Sequence, residues 1–358
     1  MTARTRITLI GGFLGSGKTT LISRLTERFI DDQKRIGIIT NDQGKYLIDT
    51  EFVKVSGIDV EEVTGSCFCC NFQKFFENME KLSDESGAEY IIAEPVGSCT
   101  DLIATIMKPL RSKVDGNYSI TPLIILVDGA KMIDRSLDAV TLGGYLRHHQ
   151  VAEAEYLVLT KVDKLEDNDI KKFHDELEHI NPEAEVIEYS AVTGEGLDKI
   201  MKIILSDEET NRTPVDIDYD KYADAEAELG WYNGIYEFES DEQDAYELSV
   251  KLLEHLGKLY ASSAIAHAKV AFSCNGTYSK VSLIGNELSV GGMIGDKRMN
   301  GKVQLNFNAR VASDPDTLRK AIRETVDSVL KKNNVSDYRM TFDDCFSPGR
   351  PNPTYRVM

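Results

Sequence analysis

Gly12-Phe13-Leu14-Gly15-Ser16-Gly17-Lys18-Thr19 matches G-x-x-x-x-G-K-[ST] at every fixed position. The apolar run Arg6–Ile10 just before it predicts a strand, and Lys18–Phe29 just after it has helical spacing. In that setting the motif has a physical use. Glycines let the backbone curl until successive N–H groups point inward, and the helix N-terminus adds partial positive charge, so the loop is a cradle for phosphate. Lys18 is placed to reach the β- and γ-phosphates, and Thr19 to offer its hydroxyl to Mg2+. Gly12, Gly15, Ser16, Gly17 and Thr20 complete the expected contacts.

Further apolar runs follow at Arg35–Thr40, Tyr90–Ala93, Leu123–Val127, Tyr156–Leu159 and Glu185–Tyr189. Helical stretches such as Gln73–Leu82 and Asn168–His179 fall between them. This alternation predicts an α/β fold, a P-loop NTPase domain over residues 1–206 with a mostly parallel sheet covered by helices on both faces. Ligands then bind beyond the C-terminal ends of the strands. Residues 207–228 are acidic and poor in large aliphatics, and read as a linker. Residues 229–358 predict a smaller α+β C-terminal domain in the order β-α-β-β-β-α. Its strands are expected at Trp231–Phe238, Ala268–Ser273, Tyr278–Ile284 and Val303–Val311, and its helices at Glu242–Tyr260 and from Pro315 to Lys332. From Cys345 the chain is rich in Pro and Gly and reads as an extended loop.

The 358 residues carry a formal net charge of −18, which argues against a general nucleic-acid or membrane-surface binder. No apolar run approaches the ~20 residues of a membrane span, and the first apolar stretch runs straight into the glycine loop rather than into a cleavage site. Of six cysteines, three crowd into Cys67, Cys69 and Cys70, a poor disulfide framework that points to reduced thiols and a cytoplasmic setting.

Two motifs address the base. Thr160-Lys161-Val162-Asp163 follows a strand and resembles the N/T-K-x-D element in which a carboxylate accepts from guanine N1–H and N2–H2, donors that adenine lacks. Ser190-Ala191-Val192-Thr193-Gly194-Glu195-Gly196 follows the next strand and resembles the loop that closes over guanine. Together they favour GTP over ATP. Glu94 and Asp42 sit at other strand tips, where an acid can serve the Mg2+ shell or orient the attacking water. Glu94 and Lys18 are the expected catalytic residues, and Asp128 has a similar placement.

Ser66-Cys67-Phe68-Cys69-Cys70 has three open readings: a site for a soft or borderline cation, a buried apolar cluster, or a redox pair. A helix start just after Cys70 is expected to lower the thiol pKa values. Cys274 and Cys345 are expected to be structural.

The ordered set Gly12–Thr20, Asn41-Asp42-Gln43-Gly44, Cys67/Cys69/Cys70, Glu94–Gly97 and Thr160–Asp163 resembles the CobW-type GTPases, relatives of UreG and HypB. The resemblance covers residues 5–205. It implies a metallochaperone or metal-centre maturation factor whose Cys69, Cys70, Cys67 and Asp42 hold Zn2+ or another transition metal such as Co2+ close to the nucleotide. Asp42 stands where the family has Glu, and Pro95-Val96 where small hydroxylated residues are common. The expected partners are GTP or GDP and a client metalloenzyme or cofactor protein recognised by residues 229–358, with a homodimer as an open option. The competing reading is a GTP-dependent switch for a cofactor-containing enzyme, its cysteines structural or redox-active. A small-molecule kinase is a third, disfavoured by the guanine motifs.

Overall fold

The structure is a computed structural model, and it describes residues 4–42, 58–114, 116–132, 137, 141–261 and 264–358. Gln43 and Gly44 of the second motif lie outside the described residues, and so does the side chain of Asp42.

The first compact unit takes in the described residues up to Ala225 together with Arg350–Met358. In chain order it builds β1 (Thr5–Gly12), α1 (Lys18–Asp31), β2 (Ile36–Asp42), β3 (Asp59–Thr64), α2 (Phe72–Asp84) and β4 (Tyr90–Glu94). A π-helical turn over Ile103–Met107 runs into α3 (Lys108–Lys113), followed by β5 (Tyr118–Ile120), β6 (Ile124–Asp128), α4 (Gly129–Met132) and α5 (Leu142–Glu153). Then come β7 (Tyr156–Thr160), α6 (Asp167–Ile180), β8 (Glu185–Tyr189), α7 (Leu197–Leu205) and α8 (Tyr219–Ala227). The described strands form one sheet in the order β3-β2-β4-β1-β6-β7-β8, with β5 also pairing β1, and their pairings are parallel.

The central strands are apolar on both faces because both are covered. Ile7, Leu9, Ile10, Ile38, Ile92, Leu126 and Val158 are nearly or wholly buried. Helix α1 lays Leu21, Ile22, Leu25 and Phe29 into the same core as Ile10, Ile92 and Leu126. Strand order reverses at β1, which leads into the glycine loop, so the loop stands at the topological switch point where such sheets bind ligands. Strands β3 and β5 were not expected from the sequence. The acidic stretch read as a linker contains α8, whose Tyr222 and Ala225 are buried with Tyr145 and Leu146 of α5.

The second unit is an antiparallel sheet in the order β12-β11-β10-β13-β9-β14. Its strands are β9 (Gly230–Asp244), β10 (Ile265–Cys274), β11 (Thr277–Ile284), β12 (Glu287–Ile294), β13 (Arg298–Val311) and β14 (Tyr338–Phe346), with helices α9 (Ala245–Leu259) and α10 (Pro315–Lys332). Leu248, Leu252 and Leu256 of α9 and Leu318, Ile322 and Val326 of α10 share one core with Val270, Phe272, Leu305 and Phe307. Asp314 caps α10 by accepting from Thr317 N–H at 2.9 Å, as its sequence position suggests. The expected β-α-β-β-β-α order is corrected by two further strands, β12 and β14. Strand β12 (ELSVGGMI) buries no side chain fully, leaves Leu288 and Val290 exposed, and has its alternation broken by Gly291-Gly292. Cys345 belongs to β14 rather than to an extended tail.

Candidate nucleotide and thiol site

The glycine loop has the backbone its motif requires. Gly12 has φ +131°, and a Cβ there would lie 2.5 Å from the Leu126 carbonyl oxygen, so conformation and space both demand glycine. Lys18 is buried, and its Nζ donates to the carbonyls of Gly12 at 2.8 Å and Phe13 at 3.4 Å, which seats the ammonium across the mouth of the loop. Ser16 is buried, its Oγ has no protein partner, and its carbonyl accepts from Thr160 Oγ1 at 2.9 Å. A buried hydroxyl left that way fits an acceptor supplied by a ligand. Gly15 and Gly17 are left-handed, and Thr20 is exposed on the first turn of α1.

Thr19 Oγ1 donates to Glu94 Oε1 at 3.1 Å, so the hydroxyl expected to meet Mg2+ and the acid expected at the γ-phosphate are already in contact. The tip of β7 carries the residues expected to read the base. Thr160 ends the strand, Lys161 turns with φ 62°, and Asp163 Oδ1 accepts from Ser190 Oγ at 2.6 Å. Ser190 Oγ also accepts from the N–H groups of Val192 and Thr193, both at 3.2 Å. The two guanine motifs, far apart in sequence, thus meet through one hydroxyl, with Ala191 beside it. Lys161 Nζ pairs with Asp128 Oδ2 at 2.6 Å, so Asp128 orients the motif's lysine.

The cysteine loop joins β3 to α2. Asn41 at the end of β2 clamps it: its Nδ2 donates to the carbonyls of Val63 and Ser66, both at 2.8 Å, and its Oδ1 accepts from Phe68 N–H at 2.8 Å. Phe68 is buried and stacks on Phe75 of α2 with ring centroids 4.5 Å apart. That anchoring turns the three sulfurs toward each other. Cys67 Sγ lies 2.9 Å from Cys69 Sγ and 3.1 Å from Cys70 Sγ, with Cys69 and Cys70 3.8 Å apart. Their Sγ atoms are close enough for a single cation. In register, Asp42 of β2 stands beside Thr64 of β3, at the entrance to this loop.

The thiols divide in their acidity. Cys67 falls well below the ordinary thiol range because the Cys69, Cys70 and Cys99 thiols hydrogen-bond to its sulfur, outweighing burial. Cys69 is pushed well above that range by its hydrogen bonds with Cys67 and Cys70 and by burial, and Cys70 up to about 11 by Cys67. The expected lowering by the helix start after Cys70 is therefore corrected, since neighbouring thiols decide the order.

Gly97, the last residue of the Glu94–Gly97 element, and two residues that the sequence reading passed over, Gln150 and Glu153, organise the segment after β4. Gly97 leans on the glycine loop: a Cβ there would lie 3.1 Å from Lys18 Nζ and 2.7 Å from Leu14 Cδ2. Gln150 of α5, buried, donates from Nε2 to the carbonyls of Gly97 at 3.0 Å and Cys99 at 2.8 Å. Glu153, also buried, is hydrogen-bonded to Thr100 Oγ1 at 2.8 Å and to Ile103 N–H at 3.3 Å. Burial, helped by the nearby Asp101 carboxyl, pushes Glu153 up to about 8. The segment Arg350–Met358 adds a last layer. Thr354 N–H donates to Cys69 C=O at 2.8 Å, its hydroxyl donates to Cys70 C=O at 3.1 Å, and Arg356 Nε donates to Asp101 Oδ2 at 2.8 Å. Apart from Gly97, none of these residues sits in a short motif, so only spatial adjacency reveals them.

The model of the CobW/HypB/UreG nucleotide-binding domain matches residues 6–188. A protein named zinc chaperone CobW from a Sinorhizobium species is 32% identical over 194 residues, 48% of this chain and 54% of that protein. The zinc chaperone YjiA of Escherichia coli is 27% identical over 188 residues, 50% of this chain and 56% of that one. The chain thus spans about half the length of the curated relatives it matches. Among solved structures, the hydrogenase maturation factor HypB from Archaeoglobus fulgidus aligns with a TM-score of 0.40 at 24% identity, over 56% of this chain and 88% of that one. No helix among the described residues is long and apolar enough to cross a membrane.

Proposed function

Because the chain belongs to the CobW/HypB/UreG family, we propose that it is a GTPase that holds a transition-metal ion on Cys67, Cys69 and Cys70 and releases it according to the nucleotide it carries. Zinc is the first candidate, in keeping with the names of its curated relatives, and Co2+ the second. One observation carries the reading. The segment Glu94–Cys99 touches Thr19 at its start, lies beside Lys18 at Gly97, and meets the Cys67 thiol at Cys99.

In this reading the loop N–H groups, Lys18 and Ser16 Oγ hold the phosphates, and Asp163 with Ser190 and Ala191 selects guanine. Mg2+ bound at the Thr19 hydroxyl would neutralise charge on the β- and γ-phosphates. Glu94 orients the attacking water, and Lys18 stabilises charge on the phosphoryl group as it transfers to that water, leaving GDP and phosphate. With no arginine assigned to the transferring phosphoryl group, the intrinsic rate is expected to be slow. Loss of the γ-phosphate removes the contacts that hold Gly97, and the segment relaxes at its cysteine end. Metal and nucleotide then bias each other equally, as linkage requires. Adjacent reduced thiols suit a cytoplasmic setting. Of the expected 229–358 domain, Arg350–Met358 belong to the first unit, and the residues up to Gly349 would present the surface for a client metalloenzyme.

The test is a titration of Zn2+ and Co2+ into the protein loaded with GDP or a non-hydrolysable GTP analogue, beside the Cys69→Ser/Cys70→Ser variant. Affinity that differs between nucleotides and is lost in the variant supports the chaperone. Equal, weak binding in all four cases replaces it with the switch reading, in which the cysteines are redox or structural.

A further inference from the structure

The thiol nest contains a sulfur that the C-x-C-C motif does not count. Cys99 is 3% exposed, and its thiol hydrogen-bonds to Cys67 Sγ from outside the group of three sulfurs that all lie within 4.8 Å of one another. Its backbone is fixed at both ends: the N–H donates to Val96 C=O at 2.9 Å and the C=O accepts from Gln150 at 2.8 Å. A zinc-sized cation in a closed site takes four ligands at about 2.3 Å from sulfur. Three cysteines leave one position open. At that bond length tetrahedral sulfurs stand about 3.8 Å apart, the separation that Cys69 and Cys70 already have. To admit the ion, Cys67 draws back by less than about 1 Å from Cys69 and Cys70, and Cys99 closes in from its contact with Cys67.

We propose that Cys99 is the fourth sulfur ligand of this nest, and that it is the ligand through which the nucleotide acts on the metal. The proposal rests on the nest holding a metal, as argued above. The donor set is then four thiolates, which suits zinc or another soft or borderline cation and excludes Mg2+ and Ca2+. Each thiol that is protonated gives its proton to solvent as its metal–sulfur bond forms, with no change of oxidation state.

The coupling follows from chain geometry. Cys67, Cys69 and Cys70 are carried on a loop clamped by Asn41 and Phe68. Cys99 is carried on a different segment, two residues beyond Gly97, and Gly97 rests against Lys18. A phosphate at the glycine loop therefore reaches Cys99 through three residues of chain and does not reach the other sulfurs that way. With the segment seated, the site is closed by four sulfurs and suited to holding. With it relaxed, the site keeps three and opens a position, the arrangement from which an ion can pass to another protein.

X-ray absorption at the zinc edge on the intact protein, loaded with one equivalent of Zn2+ and a non-hydrolysable GTP analogue, reads the sulfur count directly. Four sulfurs at about 2.3 Å are expected, against three sulfurs and a light atom with GDP. Three sulfurs and a light atom in both states overturn the proposal. In chelator competition, Cys99→Ser and Cys99→Ala are expected to bind Zn2+ at least about tenfold more weakly, since even outer-shell partners cost that much. The ratio of affinities between nucleotides should fall to about one. Wild-type affinity and an unchanged ratio in both variants overturn the proposal as well. Zinc binding that survives Cys69→Ser/Cys70→Ser refutes the nest itself, and so separates failure of the functional reading from failure of Cys99.

Discussion

Glu153 offers a prediction whose size can be worked from its surroundings. Its carboxyl is buried beside Thr100 and Ile103, with an ordinary value of 4.5 in the open chain and about 8 in the fold. The folded state thus keeps a proton that the unfolded state gives up. This contribution to stability is fully present below pH 4.5 and is lost as pH rises toward 8. Between the two values the loss runs at about 1.4 kcal/mol per pH unit, or about 3 kcal/mol from pH 5 to pH 7. Glu153→Gln removes the ionisation and keeps the shape. The amide oxygen accepts from Ile103 N–H, and the Thr100 hydroxyl, which donates to the carboxyl, turns to accept from the NH2. Urea unfolding of wild type and variant across pH 5 to 8.5, followed by circular dichroism, should show curves that diverge by about that amount as pH rises, the variant being the more stable above pH 5. Parallel pH profiles would refute the reasoning, because every other titrating group is common to both proteins.

Gly97→Ala forces a Cβ to 2.7 Å from Leu14 and 3.1 Å from Lys18 Nζ, overpacking that costs about 1–3 kcal/mol; GTP affinity in a fluorescent-nucleotide titration should fall about tenfold or more with circular dichroism unchanged. Asp163→Asn leaves a single acceptor facing guanine, so discrimination against ATP in a competition assay should drop at least about tenfold, and retained discrimination would remove Asp163 from base recognition. Arg356→Ala frees the segment that donates to Cys69 and Cys70 and takes the cation from the buried Asp101 carboxyl, which keeps the Tyr219 hydroxyl at 2.7 Å. A loss of about 1 kcal/mol or more there should speed thiol labelling of Cys70 by about fivefold, and an unchanged rate would show that Thr354 does not shield it.

Much of the first unit was legible because its signals are local. The glycine loop needs particular backbone torsions and a lysine at one spacing, and the strand runs of a doubly covered sheet are apolar throughout, so Arg35–Thr40 and Tyr90–Ala93 announced β2 and β4. Strand β3 (DVEEVT) sits at the sheet edge with one fully buried side chain, Val63, and carries no such signal. The helix effect expected at Cys70 failed because sulfur–sulfur contacts are nearer than the helix dipole. Gln150 and Glu153 look like ordinary polar positions of a helix until the fold sets them against the backbone of residues 97–103.

The residues alone determined the glycine loop with its lysine, the strand-tip T-K-x-D element and the presence of three crowded thiols, because each depends on spacing within about ten residues. The tertiary structure decided what those parts have to do with one another. Parallel strands deliver their C-terminal tips to one rim of the sheet, so Thr19 meets Glu94, Asp163 meets Ser190, and Cys99 meets Cys67 across separations in sequence that no spacing rule spans.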